Sequence, residues 1–375
     1  MRIRPKNRQR GFSLLEMTIA SALGTVVMGA ALSMYVQGVN ATWTVTQRAE
    51  MQEDFRAASN MLKNDLSLAG AGLGQGAAIV LPTSATVPVY GCSQVTSTCY
   101  IAGASVAYPT NGGTPYLYGL VPGYGKGPVV NTMATDIVTV VYTDPIFALN
   151  CYTATLTNAT TVTFALPGTL TCTLPTGVAT PQSINDAGVG LTVGDLIWFN
   201  LNNTQVVAEV TVVSGSTITF GAGDQLKMNQ ASATHNLASI TTGSTGTGQR
   251  LQVITYYLDT TTTPSRLMRQ VSGHSPIPVA ENVVYLQFTY DVFNYATSTV
   301  AVSQCNPGSS TATCNPAPGS SGLLPNQITK INVAHMDMDS SLYGAQYGGG
   351  SGYQRIDLQT SVSARNLTYI NDYPQ

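Results

Sequence analysis

The hydrophobic pattern of the chain is most uniform near the N-terminus. No Asp, Glu, Lys or Arg occurs between residues 17 and 47, and residues 17–36 are the most apolar part of that run. About 20 residues, at a rise of 1.5 Å each, make a helix of about 30 Å, the thickness of the hydrocarbon core of a bilayer. The pattern therefore predicts a membrane-embedded helix over residues 12–36.

The helical period continues after this run, but its pattern becomes one-sided. Apolar residues recur at intervals of three and four, which places them on one helical face: Met51, Phe55, Ala58, Leu62, Leu66 and Ala69. The opposite face is expected to carry the charged residues Glu50, Glu53, Asp54, Lys63 and Asp65. We expect an amphipathic continuation over residues 37–70, which packs on a sheet and ends in the glycine run at 70–76.

Beyond this glycine run, β-branched and alternating residues predict strands. They are expected at residues 136–142, 194–199, 205–213, 216–220, 251–258, 283–292, 328–338 and 353–362, with a tight hairpin at Ser214 and Gly215. The predicted fold class is α+β, in which the long N-terminal α-helix packs on an antiparallel β-sheet globular domain of residues 71–375. Residues 147–230 are predicted to form a β-rich insertion.

Charge narrows the class of protein. Five basic residues precede the apolar run without an acid among them: Arg2, Arg4, Lys6, Arg8 and Arg10. This asymmetry predicts an N-terminus in the cytoplasm and a single-pass orientation in the inner membrane, with the remainder translocated. Only 9% of the 375 residues are charged and the formal net charge is −2. Because a nucleic-acid binder needs a basic stripe, no nucleic-acid partner is expected.

The six cysteines fall into couples that are close in sequence. An oxidising periplasm favours disulfides in a translocated chain, although sequence alone does not choose their connectivity. Closeness favours three local pairs, and reduced buried thiols are the alternative. The couples are Cys92 with Cys99, Cys151 with Cys172, and Cys305 with Cys314.

Glu16 stands at the start of the apolar run. A carboxylate within a bilayer is costly, so such groups are usually paired and functional. The alternative is that Glu16 lies at the headgroup level of a plain anchor helix.

The sequence GFSLLE at residues 11–16, after a basic leader and before an apolar helix, resembles the processing signature of type IV prepilins. The resemblance implies that a prepilin peptidase removes leader residues 1–11 by cutting between Gly11 and Phe12, and then N-methylates Phe12. It also implies that the Glu16 carboxylate pairs with the α-amino group of a neighbouring subunit in the filament. The implied partners are the peptidase, the inner membrane, and other minor and major pilins.

Residues 61–70, 282–290 and 360–367 are similar to segments of PilW-like minor pilins. This similarity implies a subunit that helps to initiate pilus assembly and lies at or near the tip. The rival functions are a minor pseudopilin of a type II secretion system and a tip adhesin. For an adhesin the candidate contact residues are tyrosines in a Gly/Pro-rich segment, whose simpler interpretation is loop packing: Tyr100, Tyr108, Tyr116, Tyr118 and Tyr124.

No enzymatic site and no cofactor are expected. No His-Glu-x-x-His motif and no Gly-x-Ser-x-Gly elbow occurs, and the histidines are isolated in sequence: His235, His274 and His335.

Asp337 and Asp339 are a candidate pair of metal-binding acids. Alternation places both on one strand face. The calcium-loop pattern, however, has Leu342 at its glycine position and Gly348 at its terminal glutamate position. We therefore predict no metal and interpret the two acids as a solvated strand end.

Overall fold

The computed structural model describes residues 11–367, with gaps at 75–77, 85, 102–105, 112, 131, 171, 173, 175–176, 178–179, 231–233, 295–298, 306–323, 341–351 and 353–354. The side chains of residues 106, 111, 294 and 299–305 are not described either. The basic residues of the predicted leader and Cys314 therefore lie outside the described residues.

Helix α1 spans Leu14–Ser67, 54 residues, and is about 80 Å long at 1.5 Å per residue. Its end is fixed by glycines in the left-handed region, Gly70 at φ 79° and Gly72 at φ 73°. The Gly70 N–H donates to the Val141 carbonyl at 2.8 Å, and a Cβ on Gly72 would overlap the Thr143 side chain. The glycine run therefore ends the helix and ties it closely to a strand.

The strands follow in chain order. They are β1 Ala78–Val80, β2 Val89–Tyr90, β3 Cys92–Ser93, β4 Thr98–Cys99, β5 Val106–Ala107, β6 Thr110–Asn111, β7 Thr114–Tyr118, β8 Leu120–Gly123, β9 Val129–Val130, β10 Met133–Ala134, β11 Ile137–Thr143, β12 Thr153–Asn158, β13 Thr161–Ala165, β14 Leu196–Leu201, β15 Thr204–Glu209, β16 Val212–Ser214, β17 Thr217–Thr219, β18 Thr245–Asp259, β19 Arg266–Val271, β20 Ile277–Glu281, β21 Val283–Asn294, β22 Thr299–Cys305, β23 Ile328–Asp339 and β24 Arg355–Ser363. Short 3-10 helices occupy Leu149–Cys151, Leu237–Ser239 and Pro325–Gln327.

The long strand β18 organises the largest sheet. Its first part pairs antiparallel with β12 and β14, and its second part pairs antiparallel with β11 and β19. A Cβ on Gly246 would meet the Asn200 carbonyl, so glycine allows the close approach of β14. The sheet continues outward in the order β15-β14-β18-β12-β13-β17-β16 on one side, and through β8 and β20 on the other.

Two hydrophobic clusters flank this strand. The larger contains the apolar face of α1, strands β11 and β23, and the second part of β18. The smaller is formed by residues between Phe147 and Leu237, with Phe164, Phe199 and Phe220 in ring contact at its centre. The predicted insertion at 147–230 falls largely within the smaller cluster, and its boundaries stay a prediction.

A second sheet, in the order β22-β21-β23-β24, lies under the helix. Helix α1 contacts β23 and β24 of this sheet and β20 of the large one. Because the apolar face of the second half of α1 and the inner faces of these strands share one cluster, this half of the helix is an integral part of the core. The predicted α+β class is confirmed.

The strand predicted at residues 205–213 is interrupted. Residues 205–213 were expected as a single strand, whereas β15 ends at Glu209 and β16 begins at Val212. The break occurs because the chain changes partner: β15 pairs with β14, and β16 pairs with β17. The hairpin between β16 and β17 closes around Gly215 at φ 57°.

Candidate processing and assembly site

The start of helix α1 presents the predicted cleavage residues to solvent. Gly11 and Phe12 precede the helix without regular structure, and both are exposed, Phe12 to 88%. The extended backbone of Ser13 (ψ 148°) makes it the N-cap. An exposed, non-helical bond between Gly11 and Phe12 is the geometry that a processing enzyme needs, because a helical bond would have to unwind first.

Glu16 is bound to its own helix end by a capping box. The Ser13 N–H donates to a carboxylate oxygen of Glu16 at 2.9 Å, and the Glu16 N–H donates to the Ser13 hydroxyl at 3.2 Å. This arrangement satisfies two of the N–H groups that a helix N-terminus leaves free, and places a negative charge at the positive end of the helix dipole. The described residues offer Glu16 no cationic partner.

The first half of α1 has no contact face within the chain. All residues from 11 to 38 are exposed, and buried positions begin only at Gln47. Hydroxyls in this half donate to carbonyls of their own helix, as Thr18 does to Leu15 at 2.8 Å, so the helix leaves few polar groups needing water. Of the described residues, this helix alone is long and apolar enough to cross a membrane.

The second half of α1 is anchored to the sheet through Asp65. The predicted position of Asp65 on the polar face is wrong, because Asp65 is only 5% exposed. Its carboxylate accepts from the Arg269 guanidinium at 2.8 Å and from the Tyr256 hydroxyl at 2.6 Å. Tyr256 and Arg269 are cross-strand partners on β18 and β19, so one register positions both donors.

Burial and charge stabilise this contact in its charged form. Burial raises the pKa of Tyr256, and Asp65 raises it further, which keeps the phenol protonated as a donor. Burial alone would lower the pKa of Arg269, but the hydrogen bond and charge of Asp65 outweigh that effect and raise it. The spacing of seven residues between Ala58 and Asp65 is the sequence signal that could have placed Asp65 on the buried stripe.

Two of the three expected cysteine couples are joined in the structure. Disulfides link Cys92 to Cys99 and Cys151 to Cys172. The first lies across the short hairpin of β3 and β4, and the second ties the smaller cluster to the loop that follows β13. The third couple, Cys305 with Cys314, lies outside the described side chains and stays a prediction.

The tyrosine-rich segment is mostly core. Tyr108 and Tyr118 are buried, and the ring of Tyr108 lies 5.1 Å from that of Tyr90. Tyr124 is the member with a substantial exposed area, 38%. Burial of this kind supports the packing interpretation, since a ring inside the core offers no surface to a ligand.

The three histidines contact different partners. His235 is exposed beside Thr234, whereas His274 lies 2.8 Å from a carboxylate oxygen of Asp195. His335 lies beside Asp357 on the outer face of the β23–β24 pair. That the chain is not an enzyme stays a prediction.

Comparison with known proteins agrees with the N-terminal geometry. Residues 6–32 match the family model of the prokaryotic N-terminal methylation motif. The matched range contains Gly11, Phe12, Glu16 and the beginning of the exposed half of α1. No curated protein and no solved structure matches the chain.

The motif implies processing by a prepilin peptidase and pilin partners in general. Together with the long apolar helix, it indicates a membrane-anchored chain that later becomes associated with a pilus. The matched motif and the exposed N-terminal helix support a type IV pilin-like protein, in the broad class that also includes the pseudopilins.

Proposed function

We propose that the chain is a PilW-like minor pilin of a type IV pilus, which helps to initiate assembly at or near the tip. The observation that carries this proposal is an exposed apolar helix half that follows the Gly11–Phe12 bond and bears a single acid, Glu16. Such a surface needs either lipid or apolar helices of other subunits around it.

The proposed mechanism begins in the inner membrane, with the N-terminus in the cytoplasm. The peptidase cuts between Gly11 and Phe12, which removes five of the 16 basic residues and leaves a formal charge of −7. The helix then passes from lipid into the filament bundle. There the Glu16 carboxylate exchanges the Ser13 N–H for the α-amino group of a neighbouring subunit, a stronger contact where the dielectric constant is low.

The size of the globular part supports a position at the tip. The described residues beyond α1 contribute to two hydrophobic clusters beside β18, and the resemblance implies that shaft-forming pilins are much shorter. A domain of this bulk would crowd a closely packed shaft. At a tip it has space, and its surfaces can select other minor pilins.

Replacing Glu16 tests the charge contact. We expect Glu16→Ala to be processed normally but to fall at least about tenfold in sheared filaments, because the neighbouring amine loses its buried partner. Asp54→Ala, an exposed acid on the same helix, is the matched control and should be incorporated like the wild type. Equal incorporation of Glu16→Ala would contradict the charge contact.

A minor pseudopilin of a type II secretion system is the second candidate, because the matched motif marks prepilin-type chains of either system. Deletion of the gene separates the two. Loss of surface pili with secretion intact supports the minor pilin, whereas loss of secreted enzymes with pili intact supports the pseudopilin.

A further inference from the structure

An imidazole and two carboxylates converge on the outer face of strands β23 and β24. His335 and Asp337 are two residues apart on β23 and so point to the same side. Asp357 is the direct cross-strand partner of Asp337 on β24. One potential ligand atom from each of the three side chains lies within 4.8 Å of the other two.

The described residues leave this cluster short of positive charge. Like charges directly opposite each other on neighbouring strands are destabilising, and Asp337 and Asp357 are in this arrangement. Arg355 is committed elsewhere, since it donates to both oxygens of Asp339 at 2.7 and 2.9 Å and comes only within 3.9 Å of Asp337.

Within the cluster, one carboxylate oxygen of Asp337 lacks a donor. Its Oδ1 atom is shielded from solvent and has no hydrogen-bond partner among the described residues. A buried carboxylate oxygen without a donor is costly. A cation between the strands, or a proton shared with Asp357, would supply the missing interaction.

The spacing between His335 and Asp357 also suits two ligands of one ion. His335 Nδ1 lies almost equally far from the two oxygens of Asp357, at 3.3 and 3.2 Å. Nitrogen and oxygen ligands at about 2.1 Å from a tetrahedral Zn²⁺ lie about 3.4 Å from each other. The Gln359 amide donates to Asp357 Oδ2 at 3.1 Å, which is the kind of contact that orients a metal-binding carboxylate.

We propose that His335, Asp337 and Asp357 form a binding site for a divalent transition-metal ion of the Zn²⁺ type. One imidazole and two carboxylates suit a borderline cation, whereas Ca²⁺ takes six to eight oxygen ligands. The side chains of His335 and Asp357 are 44% and 38% exposed, so the remaining coordination position faces solvent. The sequence predicts no metal, and this inference differs from that prediction. The site depends on Asp357, which lies on β24 and outside the calcium-loop pattern that begins at Asp337.

The test is equilibrium dialysis of the untagged full chain in detergent against ZnCl₂, after removal of metals with EDTA. We expect one equivalent of Zn²⁺ by elemental analysis, unchanged by a millimolar excess of Ca²⁺. His335→Ala and Asp357→Asn should each weaken Zn²⁺ binding at least about tenfold. The control is His235→Asn, which removes an exposed histidine in a left-handed conformation that asparagine tolerates.

Folding is checked on the metal-free proteins. Asp357→Asn relieves the opposed charges, so its thermal midpoint without metal should equal or exceed that of the wild type. A loss of Zn²⁺ binding in this variant would then reflect the site and not unfolding. Failure of the wild type to retain Zn²⁺ would overturn the proposal. So would retention of as much Zn²⁺ by Asp357→Asn and His335→Ala as by the wild type.

Discussion

The first half of helix α1 is apolar all round and the second is amphipathic; one acid in each, Glu16 and Asp65, lies beside apolar residues, yet the two acids have different partners. Asp65 in the second half is buried against Arg269 and Tyr256 of the same chain. Among the described residues, the Glu16 carboxylate in the first half accepts a hydrogen bond from the N-cap residue Ser13. The first half is exposed throughout, whereas the second buries a stripe on the sheet.

This difference indicates where each half finds its stabilising contacts. A helix that buries an apolar stripe and pairs its acid within the same chain already has its stabilising contacts. A helix that is apolar all round and exposed requires an environment from outside, either lipid or other helices. In the proposed function, Glu16, which has no cationic partner among the described residues, is the acid that meets a neighbouring subunit.

The largest effect is expected at the anchor of the second half. Asp65→Ala leaves the Arg269 guanidinium partly buried without its anion, and should lower the free energy of unfolding by about 3–5 kcal/mol. The measurement is urea denaturation of the full chain in detergent, followed by near-ultraviolet circular dichroism. Glu16→Ala should leave this value within about 0.5 kcal/mol of the wild type. Equal losses in the two variants would remove the distinction between the acids.

Replacing one leucine in each half of α1 tests how the two apolar surfaces differ. Leu62 is fully buried, and Leu62→Ala should cost about 3 kcal/mol of unfolding free energy in the same assay, through lost burial and the cavity left behind. Leu23 is 62% exposed, and Leu23→Ala should leave the domain unchanged while lowering incorporation into filaments. A destabilised domain in Leu23→Ala would show that the first half also packs within the chain.

The smallest effect concerns the cap of the first half. Ser13→Ala removes the hydroxyl that accepts from the Glu16 N–H, and should destabilise the first helical turn by about 1 kcal/mol. Hydrogen–deuterium exchange of the Glu16 amide should quicken about fivefold. Ser33→Ala, a mid-helix hydroxyl, is the control, and an equal change at Glu16 in both variants would argue against the capping box.

Local patterns in the sequence were enough to predict the helix and its buried stripe. Periodicity is a property of neighbouring residues, so Phe55, Leu62 and Leu66 could be placed on one face without the tertiary structure. The prediction for Asp65 is wrong because it follows from the charge of the residue and not from its spacing. Asp65 lies seven residues after Ala58, on the buried stripe, where the sheet supplies hydrogen-bond donors to its carboxylate.

Strand pairing cannot be predicted from local periodicity. Nothing near β18 in the sequence shows that its two parts take different partners and join two clusters, since these pairings are set by packing far along the chain. For the same reason the approach of Asp357 to His335 and Asp337 depends on the register of β23 and β24, which the local pattern does not specify.

The most direct test of the central claim is peptide mass spectrometry of sheared surface filaments, aimed at the N-terminal peptide of this chain. The account predicts a peptide that begins at N-methylated Phe12, which would show processing and incorporation together. A chain that stays in the inner membrane and never appears in deeply sampled filaments would contradict the assignment to a pilus.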